Sequence, residues 1–123
     1  MLRESTRVHQ KEEGIFRRWF HDDLLDLIVW YRDEDLSVKG FQLCYDGAVD
    51  RYVITWHKEH GFSHDMIDES RLKGNMPGSP VLVADGEPDI KMVLDEFSER
   101  SRGIDITVKE LVLNALDHYR AEL

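Results

Sequence analysis

A run of period-two alternation between residues 24 and 64 constrains the fold of this chain more than any other feature of the sequence. Three segments in this run are rich in β-branched and aromatic residues and are bounded by turns that contain Asp or Gly. They are LDLIVWY at 25–31, KGFQLCY at 39–45 and RYVITWH at 51–57. Short strands separated by such turns are typical of an antiparallel meander. The sequence therefore predicts strands that pair with their neighbours along the chain.

The same pattern extends the meander on both sides. We predict four to six strands, at about 15–20, 24–31, 38–45, 51–57, 62–67 and, as an optional sixth, 81–84. The segment 24–31 is apolar on both faces, which is typical of a strand inside a sheet. A glycine within a strand often marks a bulge or the close approach of another group. We therefore expect Gly40 to let Trp30 lie across its strand.

Two amphipathic segments follow the predicted strands. Apolar residues at helical spacing predict helices at about 88–102 and 108–121. Thr107 and Glu110 have the spacing of a capping box at the start of the second helix. Because strands come first and helices last, we predict an α+β fold with both helices on one face of the sheet.

The length of 123 residues suits one hydrophobic core, so we predict a single α+β domain over 15–123. The polar residues 1–14 are expected to form a flexible N-terminal tail.

Charge and cysteine content narrow the classes of partner. The formal net charge of −9 creates a field that repels phosphate backbones, so we expect no nucleic-acid partner. Nowhere do about 18 apolar residues occur in a row, so we expect no membrane partner. Cys44 is the only cysteine, which rules out an intrachain disulfide and is typical of an intracellular protein. The expected location is the cytoplasm.

Three histidines form the most suggestive group for metal chemistry. His57, His60 and His64 lie in and beside the predicted hairpin of strands 51–57 and 62–67. If His57 pairs with Phe62, then His57 and His64 are diagonal neighbours on one face, roughly 7–8 Å apart at the backbone. Such a group could hold zinc or another divalent transition metal. The spacing matches no known zinc signature, so we expect no cofactor and three histidines that are solvated or locally hydrogen-bonded, with the metal site as the alternative.

The other reactive groups have simpler interpretations. Asp22, Asp23 and Asp26 could provide paired carboxylates for acid/base chemistry, but adjacent aspartates are typical of turns. Cys44 lies in the middle of a strand, where a small half-buried apolar residue is the expected role. The segment GNMPGSP lacks the Lys-Ser/Thr ending of a phosphate-binding loop. We therefore predict no catalytic residues, and the sequence favours a protein that is not an enzyme.

The tryptophans Trp19, Trp30 and Trp56 all lie in predicted strands. On a sheet face that the helices leave bare they would form an apolar patch for a partner, whereas on the other face they would be core residues.

The prediction is a non-catalytic binding or protein-interaction module that binds another protein or itself as a homodimer. Two alternatives remain: a metal-binding protein or small metal-dependent enzyme that uses the three histidines, and a small-ligand domain with a pocket near the long loop 68–80.

Overall fold

The computed structural model describes residues 1–6, 8, 10, 13–47, 50–68, 81–84 and 88–123, with the backbone alone for 68 and 81–84. It shows seven antiparallel strands whose order in the sheet is their order in the chain, followed by two helices. The strands are β1 (Arg3–Glu4), β2 (Ile15–His21), β3 (Asp26–Arg32), β4 (Val38–Asp46), β5 (Arg51–His57), β6 (Gly61–Asp68) and β7 (Val81–Ala84). The helices are α1 (Ile90–Arg100) and α2 (Ile106–Glu122). The predicted α+β fold with a β-meander and two C-terminal helices is confirmed.

The core lies between one face of the sheet and the helices. Cross-strand neighbours on this covered face have no exposed surface; they are Phe20, Leu27, Leu43 and Ile54. Buried residues of both helices join the same cluster; they are Ile90, Val93, Phe97, Val108, Val112, Leu116 and Tyr119. Both helices therefore pack on one side, as predicted. We call the opposite side of the sheet the outer face.

Helix α2 crosses the sheet from β2 to β6. At its start, the carboxylate of Asp105 lies 3.2 Å from the guanidinium of Arg18 in β2. Near its end, the ring of Tyr119 stacks on Phe62 of β6, with centroids 4.4 Å apart and planes 3° from parallel. The helix thus spans most of the width of the sheet and covers its apolar side chains.

Aspartates begin both helices. The carboxylate of Asp89 accepts the Met92 N–H at 3.2 Å, and that of Asp105 accepts the Thr107 N–H at 2.9 Å. The predicted N-cap at Thr107 is therefore wrong, and α2 begins at Ile106, two residues earlier than expected. Asp is as good an N-cap as Thr, and Asp105 also forms an ion pair with the sheet.

Residues 1–6 differ from the flexible tail that the sequence predicts for 1–14. Leu2 is 2% exposed and belongs to the core, and its N–H donates to the Arg100 carbonyl at 2.8 Å. The Ser5 N–H donates to the Trp19 carbonyl, and the Gln10 side chain bonds to both the N–H and the carbonyl of Arg17. Without these bonds, β2 would be the edge of the sheet and its backbone groups on that side would be unpaired. The N-terminal segment is therefore held in place by pairing with β2 and by the burial of Leu2.

Asp22 shapes the turn between β2 and β3. Its carboxylate, 5% exposed, accepts the N–H groups of Leu24 and Leu25 at 2.8 Å and lies 2.8 Å from the guanidinium of Arg100. Burial opposes its ionisation, but the bonds from Leu25, Arg100 and Leu24 outweigh burial and hold the pKa of this carboxyl well below its usual range. Leu24 and Leu25 are therefore turn residues, and β3 begins at Asp26 rather than at the predicted residue 24.

Two further observations concern the other predictions. The predicted loop 68–80 lies outside the described residues apart from Asp68, which ends β6. Among the described helices, none is both long and apolar enough to cross a membrane.

Candidate functional site

Two aromatic rings on the outer face meet across a glycine. In the sheet register, Trp30 of β3 is opposite Gly40 of β4, which in turn is opposite His57 of β5. The rings of Trp30 and His57 stack across the intervening strand, with centroids 5.5 Å apart and planes 3° from parallel. This arrangement confirms the expectation that Gly40 lets Trp30 lie across its strand.

The backbone around Gly40 admits no side chain. A Cβ added at Gly40 would lie 2.1 Å from the carbonyl oxygen of Trp56. The register of β3 and β4 shifts between Trp30 and Tyr31, so that Lys39 is the additional residue of a bulge. Bulges bend a strand and change the direction of its side chains, and they are over-represented beside functional sites. The bulge therefore accounts for the position of Lys39, while the close approach at Gly40 lies on the other side of β4, against β5.

A cleft of about 710 Å³ opens at this end of the sheet. Its walls come from the starts of β2 and β4, the ends of β3 and β5, and the two turns that follow β3 and β5. The described lining residues are Ile15, Trp30, Arg32, Ser37, Val38, Lys39, His57, Lys58, Glu59 and His60. This volume lies within the range of roughly 300–1,000 Å³ that is typical of small-molecule sites, and it is the candidate functional site of the protein.

The charge of the cleft is opposite to that of the chain. Lys39 and Lys58 are backbone neighbours, since the Lys58 N–H donates to the Lys39 carbonyl at 2.8 Å. Neither lysine forms an ion pair with another described residue, whereas the guanidinium of Arg32 is 3.1 Å from Glu34. Glu59 is the only acidic residue among the described lining residues. Within the described part of the chain, the cleft therefore has two ammonium groups that form no ion pair, in a protein of net charge −9.

The structure separates the three predicted metal ligands. His57 and His60 are close, with ring centroids 5.8 Å apart. His57 pairs with Gly61 instead of the expected Phe62, because the turn closes at Gly61 with φ of +82°. His64 consequently lies on the covered face, where it is 8% exposed.

The surroundings of His64 are those of a core residue. Its Nε2 lies 2.6 Å from the hydroxyl of Tyr45, and its ring stacks on Tyr52 with centroids 5.2 Å apart. It therefore cannot join His57 and His60 around one ion. Among the described residues, no group of three or more His, Cys, Asp or Glu side chains could hold a metal ion.

The three tryptophans do not form one patch. Trp19 and Trp30 lie on the outer face, while Trp56 lies on the covered face, where its ring centroid is 5.7 Å from that of Phe41. All three are half-buried. Trp19 lies outside the cleft, and its indole N–H donates to Asp26 at 2.9 Å. Of the three, Trp30 alone lines the candidate site.

The remaining reactive groups are engaged elsewhere or unreactive. Burial raises the pKa of the Cys44 thiol to about 11, so the nucleophilic thiolate is scarce at neutral pH. The Asp26 carboxylate lies 2.9 Å from the guanidinium of Arg51, and Asp22 is bonded to Arg100. These carboxylates stabilise the sheet and its turns, which disfavours the acid/base role considered above.

The ligand pocket that the sequence suggested near 68–80 falls on residues outside the described ones, apart from Asp68. Strand β6 begins beside the cleft at Gly61 and ends at Asp68, so residue 68 lies at the other end of the sheet. The lysines Lys39 and Lys58 were missed because nothing in their spacing marks them. The available signal was Gly40, a glycine within a strand that directly follows the bulge residue Lys39.

No protein-family model matches this chain, and no curated protein or solved structure matches it closely enough to indicate kinship. The function is therefore inferred from the geometry and charge of the cleft.

Proposed function

We propose that the protein is a non-catalytic binding module whose ligand is held in the cleft beside Trp30. The observation that supports this most directly is the parallel stack of Trp30 and His57 across Gly40, inside a cleft of about 710 Å³. Stacked rings make a flat, rigid surface with apolar faces and polar edges, which is well suited to contact with another planar group. The close strand approach at Gly40 fixes this surface to the sheet.

The exposed apolar residues of the protein favour a small ligand over a protein partner. The strongly exposed large apolar residues among those described are Met1, Phe16, Leu36, Met92, Ile106 and Leu123. None of them lines the cleft. The one strand residue among them, Phe16, pairs with Tyr31 on the covered side of the sheet. Stable protein interfaces bury roughly 800 Å² on each partner around an apolar centre. The self-association predicted from the sequence therefore has less support than a small ligand, and it stays a prediction.

The chemistry of the candidate residues favours binding over catalysis. The cleft offers lysines, imidazoles and an indole, which bind and orient a ligand. Cys44 is not among the lining residues, and burial disfavours its thiolate. Asp22 and Asp26 are bonded to arginines away from the cleft.

Titration of ¹⁵N-labelled protein with small aromatic molecules of different charge tests the proposal by NMR. We expect shifts at the Trp30 indole N–H, assigned with a Trp30→Phe variant, and in the backbone of 37–40 and 57–60. The indole of Trp19, which lies on the same face outside the cleft, is the internal control and should not shift. The proposal is refuted if no ring of any charge shifts the Trp30 resonance at concentrations up to about 1 mM, or if the shifts lie elsewhere.

A further inference from the structure

We infer that the cleft binds a planar aromatic ring that carries one anionic group, a carboxylate or a phosphate. This inference rests on the proposed function and adds to it the chemical class of the ligand. It depends on two properties of the cleft: a ring surface at Trp30 and His57, and the positive charge of Lys39 and Lys58, which form no ion pair with any residue that the structure describes.

The ring surface selects for planarity. Trp30 is half-buried and its ring plane is 3° from that of His57. The two parallel rings therefore form a fixed aromatic surface at the wall of the cleft. The exposed ring of His60 contacts His57 edge-on, with planes 73° apart, and borders this aromatic surface on one side. A flat ligand ring can stack on this aromatic surface without ordering flexible side chains, because the surface is already formed. An aliphatic ligand of the same volume would not make this stacked contact.

The lysines select for negative charge. Their backbones are joined by a hydrogen bond of 2.8 Å, so both side chains begin at the same point of the rim. Arg32 adds little, since its guanidinium lies 3.1 Å from Glu34 and 3.8 Å from Asp35. Two ammonium groups that lack an ion pair among the described residues attract an anion, and Glu59, the one acidic residue in the described lining, opposes them only in part.

The charge of the whole chain limits the size of the anion. A net charge of −9 repels a polyanion over its length, whereas one carboxylate or phosphate meets mainly the local field of the two lysines. The ligand is therefore a small aromatic anion, and a nucleic-acid strand is disfavoured. A mononucleotide and an aromatic carboxylic acid share this chemistry.

Calorimetric titration with two matched pairs of probes tests the inference. Adenosine 5′-monophosphate is compared with adenosine, and indole-3-acetate with tryptamine, so that each pair keeps the ring and changes the charge. We expect the anion of at least one pair to bind about 10-fold tighter than its partner at low salt, with the difference decreasing as salt is added. The pair with the larger difference distinguishes a phosphate from a carboxylate ligand.

Variants assign the two contributions to residues. We expect Trp30→Ala to weaken the preferred anion about 10-fold or more through lost stacking. Lys58→Glu should weaken it about 3- to 10-fold at low salt and leave the neutral adenosine unchanged. The matched controls are Trp19→Ala on the same face and Lys91→Glu on α1, and neither should change the affinity. Lys58 is exposed, so its variant remains informative if Trp30→Ala does not fold.

The possible failures separate this inference from the proposed function. Equal affinity for adenosine and its monophosphate, together with equal or tighter binding of tryptamine than of indole-3-acetate, overturns the inference. If the neutral or cationic ring then still shifts the Trp30 indole resonance, the binding module stands with a ligand of another charge. If no probe of any charge binds in the cleft, both conclusions fail.

Discussion

Replacement of Gly40 by alanine tests whether the close approach of β4 and β5 builds the cleft. The added Cβ would lie 2.1 Å from the carbonyl oxygen of Trp56, whereas ordinary contact begins at about 3.4 Å. The two strands would therefore have to separate by about 1.3 Å. The carbonyl cannot easily move away, because it belongs to β5, which is paired with β4 on one side and β6 on the other.

Two effects of the substitution lower the free energy of unfolding and one raises it. Overpacking in a well-packed site costs about 1–3 kcal/mol, and the loss of a ladder hydrogen bond between the strands adds about 1 kcal/mol. Alanine reduces the freedom of the unfolded chain relative to glycine and returns about 0.5–1 kcal/mol. We therefore expect Gly40→Ala to lower the free energy of unfolding by roughly 2 kcal/mol.

Urea denaturation followed by circular dichroism measures this change. Gly103→Ala is the matched control, because an added Cβ there meets no heavy atom within 4 Å and the position is exposed. The control should change the stability by no more than about 0.5 kcal/mol or increase it slightly. A loss at Gly40 of less than about 0.5 kcal/mol would refute the steric reasoning. The indole N–H resonance of Trp30 should also shift in Gly40→Ala, since the stack on His57 depends on the same strand spacing.

Two substitutions and one rate of chemical modification test the polar groups that are buried or half-buried. Asp22→Asn should lower the stability at neutral pH by roughly 2–3 kcal/mol. Because the folded-state pKa of Asp22 is depressed, its contribution is present above about pH 4 and is lost as the pH falls. The difference between wild type and variant in urea melts should therefore shrink in acid, and a constant difference would contradict this. Tyr45→Phe removes the hydroxyl bonded to His64 and should cost about 1–2 kcal/mol by the same assay, so an unchanged midpoint would count against the bond. Cys44 should react with iodoacetamide at pH 8 about 100-fold more slowly than free cysteine, and an equal rate would show that burial does not disfavour the thiolate.

Much of the fold could be predicted because its signals are local. Alternation with period two over RYVITWH gave β5 with its observed bounds, Arg51–His57. The helical spacing of apolar residues predicted both C-terminal helices. Because each helix has an apolar stripe, it also predicted that the helices pack on one face of the sheet. Errors occurred where two local signals compete, as at the start of α2, where Asp105 rather than Thr107 is the cap. The N-terminal segment was missed because its pairing with β2 is long-range and shows no pattern in six residues.

The amino-acid sequence by itself determined that this chain forms a meander of strands in chain order, since side-chain alternation and turn residues are properties of short segments. Only the tertiary structure decided which side chains meet. A strand register that differs by one residue moves every side chain to the other face, and the turn at Gly61 set that register. It placed His64 in the core and left His57 beside Trp30. The cleft with Lys39 and Lys58 exists because a bulge and a close strand approach brought together residues from four strands and two turns, and no local pattern encodes that distance.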